Sequence, residues 1–361
     1  MTTPSSRRHV VSASNDPAER GRQRGEQLRA TLPGALEVYL QLFDYAQIAP
    51  GDVRDHALHS AEALDEWRPA RRQEIDGIAA GAGLEPWQLH ALNARTEILA
   101  TSTRELPPEC STLAHRAVAA DGSVRTFSIQ TWDWHVELDP FWHTHETRGG
   151  RHDVAGWAED GMLAKGGVNS AGLATHFNIL GHELDHAGGV PVHVVSATVL
   201  EEAASVDEAL EIMRSAPVSA SSALTLLDAE RVLTVEMTSV GVFATEPVGG
   251  SVIRTNHFLD PVPSAHERAG LDKPDSTARY DLIRSRLDHE PAPGEAADLL
   301  PYLFSEPEQP RLCAVPDMSL ALGERWGSLA TVLLEPAART VRVADGTPLA
   351  ARAGEWRVLM A

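Results

Sequence analysis

Apolar residues in the first hundred positions recur at three- and four-residue spacing. Between Pro17 and Phe43 they fall at Leu28, Leu32, Leu36, Val38, Tyr39 and Leu42, which predicts an amphipathic helix. Asp16-Pro17 reads as an N-cap followed by proline in the first turn. Two more helical stretches are predicted at 58–80 and 86–99, separated by Gly81-Ala82-Gly83. Residues 1–15 are polar and read as frayed, and no strand is predicted before position 100.

The period changes after Pro107-Pro108-Glu109, a rigid and extended punctuation. Alternating runs at 112–118, 123–130, 162–168 and 171–178 predict strands, with Asp121-Gly122 as the turn between the first two. Helix returns at 190–215. Strands follow near 223–228, 231–237, 241–245 and 251–255, then a helix at about 276–303. Strands near 328–335 and 338–343 lead to a turn at Ala344-Asp345-Gly346, and the Pro/Glu-rich stretch 290–310 reads as loop. Paired strands separated by helices predict antiparallel sheets covered by helices, an α+β class, and not alternating βαβ units.

Composition narrows the partners. With 31 Lys+Arg against 51 Asp+Glu, the net charge of −20 disfavours nucleic acid and anionic membrane surfaces. Hydrophobic content of 43 % is ordinary for a globular chain and excludes wholesale disorder. No apolar run approaches membrane-spanning length. The first 25 residues carry Arg7, Arg8, Asp16, Glu19 and Arg20 with no apolar core, so no secretory signal is read there. Two cysteines, Cys110 and Cys313, fit a reducing compartment, and a cytoplasmic protein is expected.

Four places carry candidate chemistry. Cys110 sits where helix gives way to strand. Its thiol can attack the carbonyl of Glu109, shift the acyl group from nitrogen to sulfur, and free a new N-terminus by hydrolysis. The freed α-amine titrates at about 8, roughly 2 units below lysine, so it can act as general base at neutral pH. The plain alternative is a buried small hydrophobe. His182-Glu183-Leu184-Asp185-His186 matches the zinc pattern of two histidines one helical turn apart. Gly181 and Gly188-Gly189 leave hardly room for that helix, so a polar loop is the competing reading. Asp133 lies in Trp132-Asp133-Trp134-His135, where a carboxylate among aromatics can orient a nucleophile or cap a turn. His143 and His145 beyond it read as surface or satisfied core. Asn256, in Thr255-Asn256-His257-Phe258, offers a side-chain amide as an oxyanion donor, or belongs to a turn.

Taken in order, these residues resemble the acyl-coenzyme A:6-aminopenicillanic acid acyltransferase family, the C45 cysteine peptidases. These are N-terminal nucleophile hydrolases related to the choloylglycine hydrolases. The resemblance is carried by Gly21, Arg24-Gly25, Ile78–Gly83, Leu92–Glu97, Cys110-Ser111-Thr112 and Trp132-Asp133-Trp134. It continues through Glu159-Asp160-Gly161, Lys165, Gly167, Asn169–Leu173, Asn178, Ser222-Ala223, Glu236, Thr255-Asn256-His257 and Arg279.

The resemblance implies an αββα sandwich of two antiparallel sheets between helical layers. It implies a mostly helical pro-segment, 1–109, cleaved from a catalytic region, 110–361, the two remaining one compact unit. It assigns Cys110 as nucleophile with its freed amine as base, Asp133 as the holder of that amine, and Asn256 and Asn178 as oxyanion donors. Ser222 is a weaker carry-over that assists maturation. Trp132, Trp134, His135 and His257 would border the substrate. No metal or cofactor is implied, and His182 and His186 become loop residues bordering the pocket.

Three departures stand out. Glu109 replaces the usual glycine before the nucleophile. Thr131 replaces asparagine before Trp-Asp. Cys313 is followed by Ala314-Val315-Pro316 where the family has an arginine, for which Arg311 and Arg325 are candidate substitutes. The expected activity is that of a cysteine amidohydrolase or acyltransferase acting on a small N-acyl amine, amide or thioester. A homo-oligomer is compatible with the sequence. Two alternatives stand beside it: a zinc hydrolase using His182, Glu183 and His186, and an inactive homologue that keeps the fold as a binding module.

Overall fold

The computed structural model describes residues 7–102, 104, 110–268, 274–306 and 308–361. The first hundred residues form strand β1 (His9–Ala13) and helices α1 (Pro17–Leu28), α2 (Leu32–Tyr45), α3 (Pro50–Trp67), α4 (Pro69–Ala82), α5 (Pro86–Asn93) and α6 (Arg95–Leu99). Then come β2 (Ser111–Val118), β3 (Val124–His135), β4 (Trp142–Arg148), β5 (Val154–Glu159), β6 (Gly166–Asn169) and β7 (Ala174–Ile179). Helices α7 (Val192–Glu202) and α8 (Val206–Ser215) precede β8 (Ser222–Leu227), β9 (Val232–Thr238), β10 (Gly241–Thr245) and β11 (Ser251–Arg254). The chain ends with α9 (Pro261–Ser264), α10 (Pro274–His289), β12 (Trp326–Glu335), β13 (Thr340–Asp345), α11 (Pro348–Ala353) and β14 (Arg357–Met360). No described helix is long and apolar enough to cross a membrane.

The strands make two sheets. One has eight strands in the order β1-β4-β5-β6-β7-β8-β9-β10, and the other six in the order β11-β2-β3-β12-β13-β14. All pairings are antiparallel except β1 with β4. The sheets stack face to face, with β2 over β7, β8 and β9. Helices α7 and α8 cover the outer face of the eight-stranded sheet. On the other side, Ile283 of α10 and Leu299 and Leu303 of the 3-10 segment Ala296–Leu303 cover Leu113, Phe127, Ile129 and Leu333. The expected αββα, α+β architecture is what the chain forms.

Proline sets the helix starts. Pro17, Pro50, Pro69 and Pro86 each open a helix, and the Asp16 side chain caps α1 by accepting from the Ala18 N–H. Pro69 also divides the helix expected over 58–80, because the residue before a proline is pushed out of helical geometry. Arg68 there has φ −147° and ψ 80°.

Glycines bring α1 and α4 together. A Cβ on Gly21 would lie 1.9 Å from the Glu74 carbonyl oxygen, and one on Gly25 2.2 Å from that of Ile78. No side chain fits in that space. Beside this contact the buried Arg20 pairs with Glu74 (2.7 Å) and with Glu201 of α7 (3.1 Å).

Several expectations are corrected. Residues 9–13 are not frayed. They form β1, with Val10 and Ser12 buried, on the edge of the larger sheet. Strands β4 and β5 were not predicted, and of the run 162–168 only 166–168 is strand, the start of β6. The alternation in β4 is hidden because its buried positions include His143 and His145; His143 Nδ1 lies 2.8 Å from Asp160, which satisfies it inside the fold. Helix 190–215 is two helices, and α11 and β14 were missed.

Candidate active site

Cys110 lies immediately before β2, in contact with the core and 7 % exposed. Its thiol is 3.8 Å from the backbone oxygen of Asp133 on the neighbouring strand β3. Its own carbonyl accepts from Asn178 Nδ2 and from Arg279 Nη1, each at 3.1 Å. Asn178 comes from β7 in the facing sheet, so the nucleophile candidate is pinned between both sheets. Thr112 Oγ1 and Gln130 Nε2 donate to Asn178 Oδ1 at 2.9 and 3.3 Å, which fixes the amide with its N–H toward Cys110.

Asp133 is buried. Its Oδ2 accepts from Thr131 Oγ1 (3.2 Å) and its Oδ1 from the Ser328 hydroxyl. Ser328 in turn accepts from the Ala314 N–H at 2.9 Å, which ties the segment after Cys313 to this carboxylate. Thr131, the departure from the family pattern, is bonded on all sides. It accepts from the Ser111 N–H (3.2 Å), and its single hydroxyl proton is shared between Asp133 Oδ2 (3.2 Å) and the Leu312 carbonyl (3.3 Å).

Asn256 follows β11. Its Oδ1 accepts from Arg279 Nη2 (3.1 Å) and its Nδ2 donates to the Ile179 carbonyl (3.0 Å). The buried Glu236–Arg254 pair (2.6 Å) holds the turn behind it, with Asp260 N–H on Glu236 at 3.1 Å. Arg279 of α10 therefore links three groups: the Cys110 carbonyl, Ser111 Oγ (3.0 Å) and Asn256.

The structure brings Cys110, Asp133, Asn178 and Asn256 together. Ser222 opens β8 opposite Ile179, but its buried hydroxyl has no hydrogen-bond partner. Trp132 and Trp134 lie on the inner face of β3. Trp132 is edge-on to Trp142 at 5.8 Å, and Trp134 donates to the Tyr39 hydroxyl at 3.0 Å. His135 packs 4.2 Å from the Trp326 ring, and burial lowers it to about 3. His257 sits 2.9 Å from Ser276 Oγ, and burial aided by Arg254 lowers it to about 4. Glu109 lies outside the described residues. Arg325 bonds to the Leu320 carbonyl and, at 3.3 Å, to Glu137, so Arg279 is the arginine found beside Cys110.

The zinc pattern does not form its helix. Residues 182–186 are a bridge and a turn in which Asp185 accepts from the His182 N–H (2.8 Å) and from Ser221. Among the described residues no group of three or more His, Cys, Asp or Glu side chains is arranged to hold a metal.

Burial, reinforced by the Asp133 charge, pushes the Cys110 thiol up to about 11, against the pull of Lys165 and Arg279. The uncleaved chain therefore holds almost no thiolate at neutral pH. Alkylation of Cys110 by iodoacetamide in uncleaved protein should accelerate about tenfold per pH unit from 7 to 10. A plateau below pH 9 would contradict this.

The family profile described as acyl-coenzyme A:6-aminopenicillanic acid acyl-transferase matches residues 120–350. The chain belongs to that acyl-transferase family. The Emericella nidulans acyl-coenzyme A:6-aminopenicillanic-acid-acyltransferase 40 kDa form is 25 % identical over 289 residues, 77 % of this chain and 76 % of that one. Among solved structures, a mutant conjugated bile acid hydrolase from Clostridium perfringens aligns with TM-score 0.44 and 12 % identity over 69 % of this chain and 92 % of its own. A Caenorhabditis elegans N-acylethanolamine-hydrolyzing acid amidase ortholog aligns with TM-score 0.41 and 11 % identity over 63 % and 92 %.

Proposed function

We propose that the protein is made as a precursor and cleaves itself before Cys110. The mature enzyme then transfers an acyl group from a small N-acyl amine, amide or thioester to water or an acceptor amine. The observation that carries this reading is the Cys110 carbonyl held by two fixed donors, Asn178 and Arg279, with the thiol beside Asp133. A nucleophile whose carbonyl is held by two donors attacks from a fixed geometry.

In the precursor the thiol attacks the carbonyl of residue 109. The amide nitrogen leaves as the α-amine of Cys110, and water hydrolyses the thioester. Residues 1–109 become one fragment and 110–361 the other. In turnover the α-amine takes the thiol proton and the sulfur attacks the acyl carbonyl. The ammonium then protonates the leaving amine, and the acyl-enzyme is resolved by water or acceptor. Asp133 holds the α-amine, and Asn256 and Asn178 donate to the oxyanion. Ser222 assists maturation from the adjacent strand.

The fragments stay together. β1 is a strand of the larger sheet, and Arg20–Glu201 and Arg95–Glu159 are buried ion pairs across the cut. Intact mass under denaturing conditions tests the reading: two species of 109 and 252 residues, the larger beginning Cys-Ser-Thr, are expected from the 361-residue chain. A single uncleaved species that persists on incubation would refute it.

A further inference from the structure

A small internal cavity lies where α1 and α4 meet the larger sheet and α7. It has about 10 Å³ of free space, room for one monatomic or water-sized occupant. Arg24, Arg71, His145 and Thr147 line it, each at most 6 % exposed, and the rest of its wall is apolar apart from Glu74 and Glu201.

Three of these side chains hold a spare donor. Arg24 Nε, Arg71 Nε and His145 Nε2 are buried without a hydrogen-bond partner. The His145 tautomer follows from its neighbours. Arg24 Nη2 donates to Thr147 Oγ1 at 2.6 Å, because an arginine can only donate. Thr147 then spends its own proton on His145 Nδ1, 3.1 Å away. Burial, with Arg24, His143 and His9 adding to it, takes His145 well below the usual imidazole range, so the ring is neutral and its proton is on Nε2. Glu74 and Glu201 have no oxygen to spare, since Arg20 and Arg71 donate to both carboxylates.

The charges around the cavity do not cancel. Four cations, Arg20, Arg24, Arg68 and Arg71, face three carboxylates, Glu74, Glu201 and Glu202, the last 3.3 Å from Arg68 and 3.7 Å from Arg71. Beyond His145, Asp160 is matched by Arg8 and Glu146 by Arg148. Arg24 is the cation left over: its other donors end on the Met162 and Leu163 carbonyls and on Thr147. A buried guanidinium and orphaned donors are costly unless an acceptor completes them. A water brings two lone pairs and no charge. A halide accepts from all three donors and cancels the charge of Arg24. Phosphate, sulfate and carboxylates are too large for the space.

We infer that this cavity binds a single chloride ion, held by Arg24, Arg71 and His145. Arg24 and Arg71 stand before position 110 and His145 after it, so the ion ties the two parts of the chain together. The site is independent of the Cys110 chemistry, because cleavage removes none of its donors.

The test is thermal unfolding of the purified full chain at constant ionic strength, with potassium gluconate replaced stepwise by potassium chloride. Gluconate is too large to enter. Tm should rise by about 2 °C or more and level off. Bromide should act alike, and crystals grown in bromide should show its anomalous scattering between Arg24, Arg71 and His145. His145→Phe removes one donor and should raise the chloride concentration at half-rise about tenfold. No rise in Tm, a rise that His145→Phe leaves unchanged, or a cavity holding only water in the bromide crystals would overturn the site. If His145→Phe fails to fold, the wild-type titration and the bromide crystals still decide. Cys110→Ala should show the same chloride-dependent rise, so the failure of this site and the failure of self-cleavage are read separately.

Discussion

Cys110→Ala should purify as one full-length chain and turn over no substrate, a loss of roughly four decades or more against wild type. The substitution is informative because it leaves the site's framework in place. Asn178 and Arg279 grip the Cys110 carbonyl, which alanine keeps. The thiol makes one long contact, to the Asp133 backbone oxygen at 3.8 Å. The variant should therefore melt close to wild type, and loss of activity cannot be charged to unfolding. Two losses are expected from one atom, that of cleavage and that of turnover. Cleavage without Cys110 would mean that a different nucleophile or a contaminating protease makes the cut. Turnover at the wild-type rate would remove Cys110 from the mechanism and return attention to other groups.

How far the sequence could reveal this depended on whether a contact was local. The Asp16-Pro17 helix start and the turn at Asp121-Gly122 are short-range features, and they were legible, whereas the start at Pro50 was missed and that at Pro69 was passed over inside a single expected helix. So was the ordered series Cys110, Asp133, Asn178, Asn256, because each residue stands in its own recognisable tract. The tracts gave no sign that Asn178 reaches Cys110 from the opposite sheet, 68 positions away. Arg279 was noted only by its place in a helix, yet its guanidinium joins Cys110, Ser111 and Asn256. No local pattern announces such a contact. Arg95 and Lys165 stand in recognisable tracts, but their pairing was hidden for a related reason. A charged residue reads as solvent-facing until its partner Glu159 is found 64 positions from one and six from the other. β1 escaped notice because five residues with two buried positions look like a polar tail until β4 is placed beside them.

Asn256→Asp should slow both cleavage and turnover by two to three decades, mainly in kcat, while the fold persists. An oxyanion donor acts when charge develops on the acyl oxygen, and losing one costs about 3 kcal/mol of transition-state stabilisation. Aspartate has the same shape but no N–H to give. Arg279 Nη2 already donates to the Asn256 side-chain oxygen at 3.1 Å, so the new carboxylate gains a strong partner where the amide oxygen had one. The Arg279 contact is thereby kept, but the oxygen that replaces Nδ2 faces the Ile179 carbonyl and loses that bond, so the variant's melting temperature is read beside its kinetics. The orientation of the amide follows from the same contact: an arginine can only donate, so it must face Oδ1 and leaves Nδ2 on the other side, now on the Ile179 carbonyl at 3.0 Å. Arg279→Met should therefore mimic part of the defect by freeing the amide to turn, and should also loosen the Cys110 carbonyl. The measurement is single-turnover cleavage of freshly refolded precursor, with steady-state kinetics of whatever matures. An Asn256→Asp rate within threefold of wild type would show that the oxyanion is held elsewhere, with Asn178 as the remaining candidate donor.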